Sequence, residues 1–355
     1  MPEVLADAPL APRTTLRLGG PARRLIEAAT EEDLVRLVRD ADAAGEPVLV
    51  LAGGSNVVIA DAGFAGTVVQ VATRGVTREE GADGRVRVTV AAGEPWDAVV
   101  AEAVASGLAG IECLSGIPGS TGATPIQNVG AYGQEVAETI VVVRALDRRS
   151  GAIVDLAPTD CAFAYRSSAF KRTDSHVVLA VTFALCRAEL SGPLRYGELA
   201  RALGAAPGDG APLGDVRDAV LALRRGKGMV LDPADHDTWS AGSFFTNPVL
   251  DEAAFAALEA RAAALPTAAP PPRFPEPEGR VKTSAAWLIE AAGFTRGAAR
   301  GPVALSSRHA LALTNRGGAT TAQLLAFARE IADAVEARLG VALDPEPVLV
   351  GVPWR

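Results

Sequence analysis

Gly116–Gly133, GIPGSTGATPIQNVGAYG, is the stretch best suited to hold an anion. Pro118, Gly119, Gly122 and Pro125 break helix and strand alike. Glycines such as Gly130 and Gly133 permit the turns and close approach by which backbone N–H groups converge on a phosphate. Ser120, Thr124, Gln127 and Asn128 add donors and acceptors for a planar polar ring or a sugar. Upstream, Leu49–Asp61, LVLAGGSNVVIAD, reads as strand, tight turn and strand, with Gly53, Gly54, Ser55 and Asn56 in the turn and Val57 opening the second strand. Neither stretch is a G-x-G-x-x-G dinucleotide fingerprint followed by a helix, and neither ends in G-K-[ST]. Two phosphate-type loops outside both patterns point to a large anionic cofactor held by another fold.

Three further residues could act on a bound substrate. Ser243 lies in Ser240-Ala241-Gly242-Ser243-Phe244-Phe245, a hydroxyl beside an apolar wall. G-x-S-x-G is absent, so an acyl-transfer serine is poorly supported. A serine acid also needs a proton relay, and the residues alone leave a structural and a catalytic serine both open. Arg166, between Tyr165 and two serines, fits a carboxylate clamp or a surface charge. Glu346 is held between Pro345 and Pro347, before the apolar run Val348-Leu349-Val350.

Six segments, AGGSNVV, IPGSTGATPIQNVGAYG, YRSSAFK, AGSFFTNP, KTSAAWLIEAAGF and DPEPVLVG, stand in this order from Ala52 to Gly351. Together they resemble the type I UDP-N-acetylenolpyruvoylglucosamine reductases, of the vanillyl-alcohol-oxidase-like FAD-binding superfamily. The resemblance implies an α+β chain: a two-lobed FAD-binding fold of the PCMH type plus a third α+β substrate-binding domain. It implies non-covalent FAD on the two glycine loops, with Pro118, Gly119, Ala123, Ala131 and Tyr132 among the contacts. It implies NADPH as hydride donor and UDP-N-acetylglucosamine enolpyruvate as substrate. Ser243 then protonates the carbon that becomes an enol, with Arg166 and Glu346 flanking the enolpyruvyl carboxylate. Tyr165, Tyr196, Lys227, Asn247 and His309 become the substrate-binding residues, although His309 stands where some members have Gln. Two rivals remain at this level. One is another flavin oxidase of the superfamily, which needs no Ser243 with Arg166 and Glu346. The other is a flavin-binding protein without turnover.

Composition sets the outer bounds. The 355 residues suffice for two or three domains, and 49% of them are apolar. A net charge of −8 argues against a nucleic-acid partner and gives no polybasic membrane patch. No apolar run approaches about 20 residues, and the N-terminus shows no signal pattern. Cys113, Cys161 and Cys186 read as reduced, buried thiols of a cytoplasmic protein, here expected to be a monomer. With His176, His236 and His309 as its only histidines, the chain offers no metal pattern.

The elements that must position these residues follow. Residues 1–66 are read as the first FAD-binding lobe: an extended arm over 1–13, then a β-α-β unit with a helix capped by Thr30 and ended by Gly45. Residues 67–212 are read as the second lobe, with a helix from Trp96 to Ala105, a hairpin turning at 148–151 and a β run over Val177–Leu185. Residues 213–340 are read as the substrate-binding domain, with helices near 216–225, 283–292 and 320–339 and a proline-rich loop over 266–279 that forms no packed element. Residues 341–355 are expected to return a strand to the second lobe.

Overall fold

The computed structural model describes residues 2–265 and 269–355. The chain forms two compact units. The first comprises residues through Ala8, Ala22–Gly54 and Phe64–Val230; the second comprises Pro9–Pro21, Ser55–Gly63 and Leu231–Arg355.

The first unit contains two larger sheets. One is ordered Val4–Pro9, Pro21–Ala28, Phe64–Val71, Val48–Leu51, so the N-terminal segment expected as a bare arm includes an edge strand. Pro21–Ala28 and Val48–Leu51 both run parallel to Phe64–Val71. Helix α1 (Glu31–Ala43) makes the crossover that parallel pairing requires. The Thr30 hydroxyl accepts from the Asp33 N–H at 3.0 Å to start it. Its buried face is Leu34, Val35, Val38 and Ala41. The other sheet is antiparallel, ordered Ile153–Leu156, Ile140–Asp147, His176–Arg187, Val86–Ala91, Val76–Glu80. Val86, Val88 and Val90 alternate into its core, where α2 (Trp96–Ala105) buries Trp96, Val99, Val100 and Ala103.

Two more helices complete this unit, α3 (Gly197–Ala202) and α4 (Leu213–Gly226). Val216 and Val220 of α4 are buried with Cys113, Leu194 and Leu199. The division expected at 212/213 therefore falls at 230/231, because the apolar stripe of α4 is covered by residues before it. Cys113 and Cys161 are buried and Cys186 is exposed, which corrects the expectation of three buried thiols; all three are free. Burial pushes the Cys113 thiol up to about 12, so it stays protonated and inert.

The second unit packs α5 (Glu252–Ala262), α6 (Ala285–Ala291) and α7 (Thr321–Leu339) on short antiparallel strands. In α7, Leu324, Phe327, Ala328, Ile331 and Val335 are buried. A reciprocal Thr320–Gln323 capping box opens it and Gly340, at φ 71°, closes it. Asp61 accepts from the Thr321 and Ala322 N–H groups at 2.7 and 2.9 Å, adding a negative charge at the positive helix end. Part of the proline-rich stretch is ordered: Phe274–Glu276 pairs antiparallel with Arg280–Lys282, a short hairpin where no element was expected. Residues 266–268 of that stretch lie outside the described residues. Val303–Leu305 and Leu313–Asn315 form another hairpin.

The last strand, Val348–Val350, pairs parallel with Val57–Ile59 of this unit, so the C-terminal segment does not return to the sheet of residues 67–212. Leu349 packs on the same core that buries Val58, which fixes the partner. Among the described residues no helix is long and apolar enough to cross a membrane.

Candidate functional site

In the first unit the two glycine loops meet backbone to backbone. A Cβ on Gly53 would stand 2.6 Å from the Gly119 Cα and 3.2 Å from the Ser120 nitrogen. One on Gly122 would stand 2.5 Å from the Ala92 Cβ. Only glycine fits where two backbones come this close. The loop is pinned from outside: Trp96 N–H donates to Gly119 O at 3.0 Å, Thr121 N–H to Glu94 O at 2.8 Å and Gly122 N–H to Ala92 O at 2.9 Å. Thr124 donates back to Thr121 O at 2.8 Å. The result is a bare cradle of glycines and small side chains, Ser120 and Ala123 among them, and it suits the phosphates of a dinucleotide such as FAD.

The loop's far end is strained. Asn128 and Tyr132 have φ of 45° and 48°. Asn128 is buried and works as a brace: its amide nitrogen donates to Glu135 Oε2 at 2.7 Å and Ala164 O at 3.2 Å, and its oxygen accepts from Ala137 N–H at 3.1 Å. Gly130–Ala131 then pairs with Gln134–Glu135 across the Tyr132-Gly133 turn. Of the first loop, Gly53 and Gly54 belong to this unit, whereas Ser55, Asn56 and Val57 belong to the second.

Arg166 sits at φ 50° in a tight turn closed by mutual Ala164–Ser167 backbone bonds of 3.0 and 3.1 Å. Its guanidinium donates to Gly130 O at 2.7 Å and Asn128 O at 3.4 Å and lies 5.4 Å from the Tyr165 ring. The strained arginine turn is thus tied to the strained end of the glycine loop.

Tyr196, exposed at the N-terminus of α3, meets the Tyr132 ring edge-on at 5.4 Å. Lys227, just past α4, lies 5.5 Å from the same ring and is ion-paired with Glu198. Burial lowers the Lys227 pKa, but the Glu198 bond and the nearby tyrosines outweigh it, so the ammonium stays charged. Burial raises the Tyr132 hydroxyl, which stays protonated. So the structure gathers the glycine loop, Tyr165 with Arg166, and Tyr196 with Lys227 within one unit.

The second unit brings the segments that carry Ser243 and Glu346 together. Phe244 N–H donates to Leu311 O at 2.7 Å, Glu346 N–H to Phe244 O at 2.9 Å and Thr246 N–H to Asp344 O at 3.1 Å. The segment after Ser243 is therefore laddered to the one carrying Glu346. Phe244 and Phe245 are buried and anchor the half-buried Ser243 from one side. The Asn247 oxygen accepts from the Ala285 N–H at 2.9 Å, at the start of α6, so the group it could offer a ligand is the amide nitrogen. The Nδ1 of His309 accepts from the Leu311 N–H at 3.1 Å. A neutral His309 therefore carries its proton on Nε2.

The sequence reasoning missed the residues that hold these groups in place. Asp97 takes two bonds from Arg217, at 2.6 and 3.0 Å, and one from the Gly116 N–H at 2.6 Å, fixing the start of the long loop to α4. Burial raises the Asp97 pKa, yet Arg217 and the Gly116 N–H bring it below its ordinary value. Glu112 is fully buried and accepts from Gln134 at 2.9 Å and the Gly110 N–H at 2.6 Å. Arg224 donates to Met229 O at 2.8 Å while its buried Nε has no hydrogen-bond partner among the described residues; burial lowers its pKa. Arg224 alone had a visible signal, in Arg224-Arg225-Gly226-Lys227.

Comparison with known proteins bears on both units. Residues 22–157 match the family profile "FAD binding domain", and residues 232–350 match "UDP-N-acetylenolpyruvoylglucosamine reductase, C-terminal domain". The UDP-N-acetylenolpyruvoylglucosamine reductase of Streptomyces coelicolor is 59% identical over 98% of this chain and 90% of its own length. That of Thermobifida fusca is 56% identical over 98% of both chains. The crystal structure of UDP-N-acetylenolpyruvylglucosamine reductase from Thermus caldophilus superposes with a TM-score of 0.66 over 99% of both chains at 24% identity, a likeness of fold.

Proposed function

The chain belongs to the UDP-N-acetylenolpyruvoylglucosamine reductase family, and from that premise we propose how its own side chains divide the reaction. The chain is an NADPH-linked flavoenzyme, a UDP-N-acetylmuramate dehydrogenase. It reduces the enolpyruvyl ether of UDP-N-acetylglucosamine to the lactyl ether, giving UDP-N-acetylmuramate for peptidoglycan synthesis. FAD, when bound, supplies the hydride chemistry that no side chain can. The glycine cradle of Gly53, Gly119 and Gly122 is where its phosphates would be held, without a covalent link.

Reduction adds a hydride to the terminal carbon of the enolpyruvyl group and a proton to the α-carbon. Between the two, enolate-like charge develops towards the carboxylate. Arg166 meets that charge with a guanidinium already oriented by Gly130 O. Glu346 acts with Arg166 in polarising that carboxylate, and Ser243 gives the proton to the α-carbon. Tyr196 and Lys227 bind the diphosphate, while Tyr165, Asn247 and His309 hydrogen-bond the remaining sugar-nucleotide. The FAD site is assigned to the loops at 53–57 and 118–133, and the sugar-nucleotide to Tyr165, Tyr196, Lys227, Asn247 and His309. On this reading the chain works as a monomer in the cytoplasm and has no nucleic-acid or membrane partner.

The observation that supports these roles is the ladder from Phe244 and Thr246, just after Ser243, to Glu346 and Asp344. Ser243→Ala removes the hydroxyl and little volume. Anaerobic stopped-flow absorbance should then show flavin bleaching by NADPH at near the parent rate. Reoxidation by the enolpyruvyl substrate should slow by about 10² to 10⁴, the usual loss for a positioned proton donor. Reoxidation within a few-fold of the parent would remove Ser243 from the role.

A further inference from the structure

Asp237 is 4% exposed and collects five donors. Its Oδ1 accepts from the Ser307 N–H at 3.0 Å and Arg316 Nη1 at 2.7 Å. Its Oδ2 accepts from the Ser306 and Ser307 hydroxyls and from Arg308 Nε, each at 3.0 Å. We propose that Asp237 is a positioning residue that sets His309 for the sugar-nucleotide, acting through Ser306. This rests on the reading above that His309 touches the substrate.

The connection is continuous. The Ser306 hydroxyl spends its proton on Asp237 and accepts from the Arg308 N–H at 3.1 Å and the His309 N–H at 3.2 Å. The His309 backbone thus hangs from Asp237 by one intermediate atom. The ring is held from the other side, by the Leu311 N–H on Nδ1. Leu311 in turn accepts from Phe244, next to Ser243. Backbone and ring together leave His309 one placement and one neutral tautomer, so Nε2–H is a donor suited to a carbonyl or phosphate oxygen. A buried carboxylate with two guanidiniums and three short-range donors is a rigid anchor, because each group lost would leave the others unpaired. Phe244 and Thr246, which follow Ser243, are laddered to Glu346 and Asp344, so loosening Asp237 should move His309 while leaving the segment of the proton donor in place.

The test is a double-mutant cycle on the flavin-loaded enzyme, reading KM and kcat for the enolpyruvyl substrate and flavin content. Asp237→Asn should raise KM on the order of tenfold, the scale of one weakened bond to a charged group, with kcat within a few-fold. His309→Ala should raise KM by at least as much. In the His309→Ala background, adding Asp237→Asn should change KM by less than about twofold, since the two act in series. Ser306→Ala, which removes only the relay hydroxyl, should reproduce the KM effect and serves alone if Asp237→Asn does not fold. Independent, multiplying effects on KM, or equal losses in kcat and KM, overturn the proposal and leave the role of His309 intact. A neutral His309→Ala overturns the role of His309 and the proposal with it.

Discussion

Gly53→Ala should uncouple cofactor binding from folding. The added Cβ would lie 2.6 Å from the Gly119 Cα, 3.0 Å from its carbonyl carbon and 3.2 Å from the Ser120 nitrogen. Carbon atoms in contact prefer about 3.5–4.0 Å, so the loops must part by roughly 1 Å. Both neighbours are backbone, pinned by Trp96 and Glu94, and neither can swing away as a side chain would. Overpacking of this kind costs about 1–3 kcal/mol, which, if it falls on the bound state, weakens FAD by roughly 5- to 150-fold. Gly53 has no positive φ, so the cost is steric alone. Gly214 in α4 is the control, because a Cβ there meets nothing within 4 Å. Gly214→Ala should bind FAD as the parent does and be up to about 1 kcal/mol more stable. The assay is titration of apoprotein with FAD, followed by quenching of flavin fluorescence. A Gly53→Ala protein with FAD affinity within twofold of the parent would refute the cradle.

Glu198→Gln should tighten the enolpyruvyl substrate a few-fold, because Lys227 is then released from its internal counter-ion to meet the diphosphate. Calorimetric titration reads the change, and weaker binding would mean that the pair instead pre-positions Lys227. Asp237 also predicts a pH dependence. Burial raises its pKa, but the Ser307 N–H, Arg308 and Ser306 more than offset this, so the folded value lies below the unfolded one. Arg308 and Arg316 face it as cations and Asp235 stands beyond Arg308 as the second anion. A depressed carboxylate stabilises fully above its unfolded pKa of about 3.9, and that contribution is lost as pH falls through the folded value. Asp237→Asn should therefore narrow the stability difference from the parent below about pH 4 in acid-unfolding curves, and an unchanged difference would contradict the linkage.

Local signals carried much of the fold. The Thr30 and Thr320 caps, the glycine stops at 45 and 340 and the alternation over Val86–Ala91 all appear where residue chemistry puts them, since each depends on neighbours within a few positions. The turn at Gly53 and Gly54 was legible for the same reason. Long-range pairing was not. Val57–Ile59 and Val348–Val350 are two three-residue apolar runs, and nothing in either names the other as partner. The boundary expected at 212/213 missed the division at 230/231 likewise, because the apolar stripe of α4 shows that the helix is covered without showing by what.

The site divides along the same line. Ser243, Arg166 and Glu346 could be proposed from sequence because each stands in a segment that resembles the family's. Asp97, Glu112 and Asp237 were invisible because an anchoring carboxylate is recognised only by the donors that reach it, and the donors to Asp237 lie some 70 to 80 positions away. In sequence, Asp237 sits among Asp232, Asp235 and His236 and reads as one more solvated charge. Burying it unpaired would be prohibitive, so its burial required Arg308, Arg316 and the serines to arrive together. That interdependence explains why the anchoring carboxylates lie next to the functional segments rather than inside them. A group that must remain fully satisfied cannot also exchange its partners with a ligand. Asp97 and Glu112 instead hold the two ends of Gly116–Gly133, through the Gly116 N–H and the Gln134 side chain, and Asp237 holds the His309 backbone through Ser306.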